Sequence, residues 1–169
     1  MKLLIIGAGG HGKCCYDIAV RMNCFTEIEF VDDSAEFVLD KKVIGKQSDL
    51  VSLRSTFDCA FVAIGNNQVR KSLYDILSLM NYRRVNLLDP GAVISSFARL
   101  GEGIVVFPNA VIEASAVIED GCIVSANSIV HHDAMLKEYA LIYGNCVIRP
   151  TVKIQPFTVV KSGTVVENC

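Results

Sequence analysis

The stretch VVFPNAVIEASAVI, from Val105 to Ile118, carries a pattern that returns every six residues. Extended both ways, the same step runs from Ile94 through Leu100, Val106, Ile112, Ile118, Val124, Val130, Leu136, Ile142, Ile148, Ile154 and Val160 to Val166 without a miss. Four residues after each member comes a second, compact row: Ala98, Ile104, Ala110, Ala116, Cys122, Ser128, Ala134, Ala140, Cys146, Val152, Thr158 and Thr164. A helix turns about every 3.6 residues and cannot hold a strict six. The two-residue alternation of a strand fits into six if each unit is a short strand and a turn. Successive units then form the walls of a triangular prism. The aliphatic residue points inward, and so does the compact residue two before it on the same strand. The residues between are turn formers, as in Gly101-Glu-Gly103, Phe107-Pro-Asn109, Glu119-Asp-Gly121 and Tyr143-Gly-Asn145. One edge ends in Asn109, Asn127, Asn145 and Gly163, residue types that tolerate a left-handed backbone. The reading is a parallel β-helix of the hexapeptide type. A β-sandwich does not keep one register through so many units.

The residue before each inward aliphatic points outward, yet most are apolar: Val93, Val105, Val111, Val117, Ile123, Ile129, Met135, Leu141, Val147, Val159 and Val165. Soluble monomers rarely expose such faces. An oligomer is therefore expected, and three-fold packing suits a three-sided rod.

Composition sets the outer bounds. The 169 residues carry a net charge of −2 and no basic run, which argues against a nucleic-acid partner. No stretch approaches the ~20 apolar residues of a membrane span, and Leu3-Leu-Ile-Ile6 has the length of a strand, not of a signal peptide. The seven cysteines (14, 15, 24, 59, 122, 146, 169) read as small hydrophobes; the adjacent Cys14 and Cys15 have no metal spacing. An odd count without a signal peptide fits the reducing cytoplasm.

The chain before the hexads reads as a small, open, parallel α/β sheet. Lys2–Ile6 is a buried strand that runs into Gly7-Ala-Gly-Gly-His-Gly12 and then a helix from His11 to Asn23. Strand, G-x-G-x-x-G and helix in that order form the context of a dinucleotide fingerprint, in which free helix N–H groups attract phosphate. A second strand, Ile28–Val31, ends in Asp32-Asp33, where an acceptor for a ribose hydroxyl belongs. Val43–Gly45 and Ser48–Leu50 suggest a short loop and helix. Asp58–Ile64 is a third strand, followed by Gly65-Asn66-Asn67 and a helix from Gln68 to Asn81. Arg83–Leu88 is a fourth strand, and Asp89-Pro90-Gly91 is a turn into the hexads. A ligand crevice at the C-terminal ends of the strands gathers Gly9, His11, Asp32, Asp33, Gly65, Asn66 and Asn67. Eighty-eight residues make only half of a full dinucleotide fold. A nucleotide or nucleotide sugar fits that size better than NAD, which stays as the alternative.

Chemistry belongs on the prism's corners, the parts that project. His131-His132-Asp133 is a corner triplet, with Glu113-Ala-Ser115 one coil before it on the same edge and Arg149-Pro-Thr151 one coil after. A histidine beside a carboxylate suits general-base work; solvated corner histidines are the structural alternative. Zinc would need a third histidine about one coil away, and the prism has none, so no metal is expected.

Five stretches together give a resemblance: Ile6-Gly-Ala-Gly-Gly-His-Gly12, Phe30-Val-Asp-Asp33, Val62-Ala-Ile-Gly-Asn-Asn67 with Arg70, Leu87-Leu-Asp-Pro90 and Ser128-Ile-Val-His-His-Asp133. With them the chain resembles the bacterial acetyltransferases that join a nucleotide-sugar-binding α/β domain to a left-handed hexapeptide β-helix. These act on UDP-4-amino-sugars or resemble sialic-acid O-acetyltransferases. The resemblance implies a Rossmann-like domain over residues 1–88, a linker turn at 89–91 and a left-handed β-helix acyltransferase domain over 92–169. It implies a cytoplasmic homotrimer with active sites between neighbouring subunits. His132 would be the catalytic base and Asp133 its acidic partner; the place before it, often acidic in the family, is His131. A UDP-amino-sugar or related molecule would contact Gly9, His11, Asp32, Asp33, Gly65 and Asn66. Acetyl-CoA would be the co-substrate, along the groove between prisms, with backbone N–H groups near Gly144 at the oxyanion. A family histidine that contacts acetyl-CoA falls on Leu141, and the hexads, about four coils, end in mid-pattern at Cys169. A non-catalytic nucleotide-sugar-binding or partner-stabilising protein on the same scaffold is the alternative.

Overall fold

The computed structural model describes residues 1–167. By its internal contacts the chain divides into a unit over Met1–Val85 and a second unit from Asn86 on.

The first unit is built on a four-stranded parallel sheet whose strands, by the residues at which they begin, stand in the order Glu27, Lys2, Cys59, Arg83. Its strands are β1 (Lys2–Ile6), β2 (Glu27–Val31), β5 (Cys59–Val62) and β6 (Arg83–Arg84). A short antiparallel pair, β3 (Phe37–Val38) and β4 (Lys41–Lys42), lies between β2 and β5 in the chain. Strand β1 is central, pairing Lys2 to Ile6 with Glu27 to Val31 on one side and Leu3 to Ile6 with Cys59 to Val62 on the other. A parallel sheet covered on both faces needs near-continuous apolar strands; accordingly Leu3, Leu4, Ile5, Ile6 and Cys59 through Val62 are buried. Helix α1 (Gly10–Met22) turns Gly12, Cys15, Ile18 and Ala19 inward at helical spacing. It stops at Asn23, left-handed at φ 50°. Helix α2 is the single turn Leu50–Leu53 after a 3₁₀ turn at Gln47–Asp49. Helix α3 (Asn67–Leu79) starts at Asn66, whose side chain accepts the N–H groups of Gln68 and Val69.

The second unit is the left-handed parallel β-helix. Two-residue strands eighteen positions apart pair in parallel, as Val105↔Ile123, Val111↔Ile129 and Val117↔Met135. They stack into three ladders of five, five and four strands. The inward aliphatic row and the compact row together form one core, from Ile104 to Val160, flanked by Leu88, Ala92, Ile94, Ala98, Leu100 and Val166. Buried polar members of the compact row satisfy themselves on the next corner. The Ser128 hydroxyl donates to Tyr143 O at 2.9 Å, and the Cys122 and Cys146 thiols donate to Lys137 O and Lys161 O.

Two features depart from the sequence reading. The fourth strand is not one run: Arg83–Arg84 pairs with Cys59 and Ala60, whereas Leu87–Leu88 pairs with Val105 and Val106. The six-count therefore begins at Leu88, one unit earlier than Ile94. The outward row is also uneven. Val105, Ile123 and Leu141, all on one ladder, are buried, while Val111, Val117, Ile129, Met135 and Val147 are half-buried and Val93, Val159 and Val165 are exposed.

Candidate functional site

In the first unit the glycine-rich turn has two structural glycines and two open ones. Gly7 sits at φ 109°, and a Cβ there would lie 2.8 Å from Ala63 O. A Cβ on Gly12 would lie 2.1 Å from Gly7 O, so α1 approaches β1 only because this residue has no side chain. Above Gly9, Gly10 and Gly65 a Cβ would meet nothing within 4 Å. Gly9 caps α1 with no side-chain hydrogen bond to the helix start, an end of the kind at which anions bind.

The two acids that follow β2 have different surroundings. Asp32 Oδ2 accepts the Ala8 N–H at 2.8 Å, and its Oδ1 accepts those of Ser34 and Ala35 at 2.9 Å. It ties the glycine turn to the end of β2. Burial pushes its pKa up, but the three backbone bonds outweigh that and hold it below the ordinary aspartate value. Asp33 is exposed, with Oδ1 accepting the Gln47 N–H at 2.9 Å. It helps to line a cavity of about 600 Å³ with Phe37, Lys42, Ile44, Lys46 and Asp49. Nothing in the periodicity of residues 33–49 announces that cavity.

His11, in the first turn of α1, has its pKa pushed down to about 4 by burial and then by the charge of Arg70. Its ring is neutral at physiological pH, so it can bond a ligand but cannot neutralise one. Arg70, missing from the site residues expected from sequence, is fully buried. It donates to Ile64 O at 2.9 Å, Gly65 O at 3.1 Å and Asn67 Oδ1 at 2.7 Å, and so fixes the loop after β5. Its signal in the sequence was a cation in phase with the apolar face of α3, beside Leu73, Tyr74 and Leu77. Gly9, His11, Asp32, Gly65 and Asn66 thus gather at the C-terminal ends of β1, β2 and β5.

On the prism, the corner at His131-His132-Asp133 carries two imidazole–carboxylate pairs. His132 Nδ1 lies 2.8 Å from Asp133 Oδ2, and both side chains are 55% exposed. His131 Nδ1 lies 3.1 Å from Glu113 Oε2, one coil before. Each carboxylate can only accept, so each Nδ1 carries the proton. That leaves the Nε2 lone pair of a neutral His132 directed away from its partner, and among the described residues none bonds it. Asp133 has φ 60°, a left-handed corner that an aspartate tolerates and that turns its carboxylate back onto the preceding ring. The arrangement can take a proton at Nε2 and stabilise the resulting imidazolium.

Gly144 lies on a different edge, stacked on Ala126 and under Gly163. Within one chain Gly144 is therefore not on the corner that carries His132. Leu141 is buried, on neither corner.

A family model described as the PglD N-terminal domain matches residues 2–77. UDP-N-acetylbacillosamine N-acetyltransferase of Bacillus subtilis (strain 168) is 31% identical over 109 residues, 62% of this chain and 50% of that protein. The match thus spans half the length of that curated relative. The acetyltransferase domain of PglB from Neisseria gonorrhoeae FA1090 superposes with a TM-score of 0.88 at 30% identity, over 98% of this chain and 91% of that one. The same domain is also solved in complex with acetyl coenzyme A. A histidine-to-asparagine variant of perosamine N-acetyltransferase from Caulobacter crescentus, in complex with CoA and GDP-perosamine, superposes with a TM-score of 0.88. Its identity is 30%, over 99% of this chain and 89% of that one.

Proposed function

We propose, from the premise that this chain belongs to the nucleotide-sugar N-acetyltransferase family, that it moves an acetyl group from acetyl-CoA to the amine of a nucleotide-linked amino sugar. The observation that carries this is the His132–Asp133 pair, with Nδ1 committed to the carboxylate at 2.8 Å and Nε2 left for a substrate. The sugar amine attacks the thioester carbonyl and the C–N bond forms. His132 Nε2 takes the amine proton while Asp133 steadies the imidazolium. Collapse of the tetrahedral centre breaks the C–S bond, and the proton passes to the departing thiolate of CoA.

Residues 1–88 would hold the nucleotide sugar, through the α1 N–H groups at Gly9, with His11, Asp33, Gly65 and Asn66 as contacts. Asp32 would act through the loop it holds. The relatives named above act on or hold a UDP-linked sugar in one case and GDP-perosamine in another. The ligand class is therefore a nucleoside-diphosphate amino sugar. Residues 92–169 would carry the transfer, as a homotrimer whose adjacent prisms form the acetyl-CoA groove, with Gly144 of a neighbouring copy at the oxyanion. The six described cysteines are thiols, none of them in a disulfide, in keeping with the reducing cytoplasm in which we place the chain.

The test is thiol release from acetyl-CoA in the presence of a UDP- or GDP-linked 4-amino sugar. His132→Ala should lower kcat by about 10²- to 10⁴-fold. Turnover close to wild type in that variant sinks the assignment. Leu141, buried where a CoA contact was expected, favours the binding-only alternative. That reading predicts a higher melting temperature with the nucleotide sugar and no thiol release.

A further inference from the structure

Glu113 does more than face His131. Its Oε2 accepts the backbone N–H of His132 at 2.8 Å as well as the Nδ1–H of His131 at 3.1 Å. It therefore grips the peptide that carries the proposed base from one coil away. A second edge repeats the device with other residues: Glu119 pairs with the Lys137 ammonium and accepts the Glu138 N–H at 3.2 Å. In both places a glutamate at the first corner position clasps the second corner residue of the following coil. On one edge that residue is Glu138; on the other it is His132.

We propose that Glu113 is a positioning residue for His132. It holds the corner peptide so that the ring stays on Asp133 with Nε2 open, and its fixed negative charge favours the imidazolium formed during transfer. The catalytic part of this rests on His132 being the base. The carboxyl of Glu113 is held below the ordinary glutamate value first by the His132 backbone bond, against a smaller burial penalty, then by the His131 bond and the two rings' charge. It is therefore an anion at neutral pH. The other charged groups at this corner are His131, Asp133 and, one coil on, Arg149, which faces Glu167 at 3.8 Å.

Glu119 supplies the control, because its clasp has the same form and no histidine to place. Glu113→Ala should lower kcat by about 10- to 100-fold, with KM for both substrates within about two-fold of wild type. Glu113→Gln keeps an acceptor oxygen and should recover part of the loss. Glu119→Ala should lose a similar amount of melting temperature and keep its kcat. Wild-type kcat in Glu113→Ala, or equal losses of kcat in the Glu113 and Glu119 variants, overturns the proposal. A second arm needs no turnover: ¹⁵N NMR of the imidazole rings. In Glu113→Gln the titration midpoint of His132 should fall below its wild-type position, and in Glu119→Gln it should stay. An unmoved midpoint in Glu113→Gln overturns the proposal. A moved midpoint in a chain that releases no thiol sustains the Glu113–His132 coupling and refutes only the acetyl-transfer reading.

Discussion

Asp32 and Asp33 are adjacent, carry the same side chain and do different work. Asp32 spends its carboxylate on three backbone N–H groups, so Asp32→Asn should cost about 1–3 kcal/mol of stability. Its folded-state pKa is lowered, so the stabilisation is complete above the ordinary aspartate value and is lost as pH falls through the folded value. In Asp32→Asn the acid limb of a denaturation curve should accordingly be shallower than in wild type. His11 acts at higher pH with the same sign. Its folded value of about 4 lies below the ordinary histidine value of 6.5, so between the two the unfolded chain binds the extra proton and stability falls as pH drops. The slope can reach about 1.4 kcal/mol per pH unit, and thermal melts of His11→Gln across that window should be flatter than wild type. An identical slope in the variant would show that another group titrates there. The positions of these residues were legible in the sequence; what each carboxylate faces was not. Spacing points to Asp32 as a ribose acceptor, but spacing locates a side chain and says nothing of which N–H groups converge on it. The His132–Asp133 pair was legible because neighbours at one corner have little choice of partner. Glu113 was placed on the right edge by its eighteen-residue offset from His131, but its bond to the His132 backbone depends on how the coils stack.

At the level of elements, the glycines and corners divide into places that need space and places that need a backbone angle. Gly12 needs space: Gly12→Ala drives a methyl to 2.1 Å from Gly7 O and should cost several kcal/mol, seen as a fall in melting temperature or in soluble yield. Gly9→Ala meets nothing and should keep the melting temperature of the free protein while weakening the shift caused by a nucleotide sugar. If the two variants melted alike, the glycine turn would not have the split role assigned to it. Corners need an angle, and they take it whatever the residue. Gly103, Asn109, Ser115, Gly121, Asn127, Asp133, Tyr139, Asn145, Thr151, Phe157 and Gly163 all lie at φ between 57° and 73°. This is legible on the edge that ends in asparagines and hidden at Tyr139 and Phe157, whose residue types speak against a left-handed backbone. Their rings stack at 5.6 Å, and Tyr139 lies where a Cβ of Gly121 would be, so packing along the edge offsets the local strain. The β3–β4 pair was illegible for a related reason. Its two-residue strands carry no alternation to read, and its turn puts Leu39 at φ 54°, where a glycine or asparagine would have announced it. Leu87–Leu88 looked like the end of a sheet strand because two apolar residues fit either partner until the pairing with Val105–Val106 is known.

For the molecule as an assembly, the outward rows of the prism decide which faces are available. Val105, Ile123 and Leu141 are already buried within one chain, so the middle of their ladder has little apolar surface left to give, although Val159 at its end is exposed. Val111, Ile129 and Val147 on a second ladder and Val117 and Met135 on the third remain half-buried. Contiguous apolar rows of that kind mark an interface in a soluble protein. A three-sided rod that meets its copies through two of its faces closes naturally as a ring of three. Light scattering in line with size exclusion should then return three times the chain mass. A charge in the row should break it: Val111→Asp combined with Val147→Asp should elute as a monomer. The consequence for activity separates two designs of the site. If the acetyl-CoA groove needs two prisms, the monomeric double variant should lose thiol release by at least about 100-fold and still gain melting temperature with a nucleotide sugar, because the crevice residues lie within Met1–Val85. If instead the monomer turns over like wild type, each prism carries a complete site, and Gly144, on another edge from His132, has no part in the chemistry.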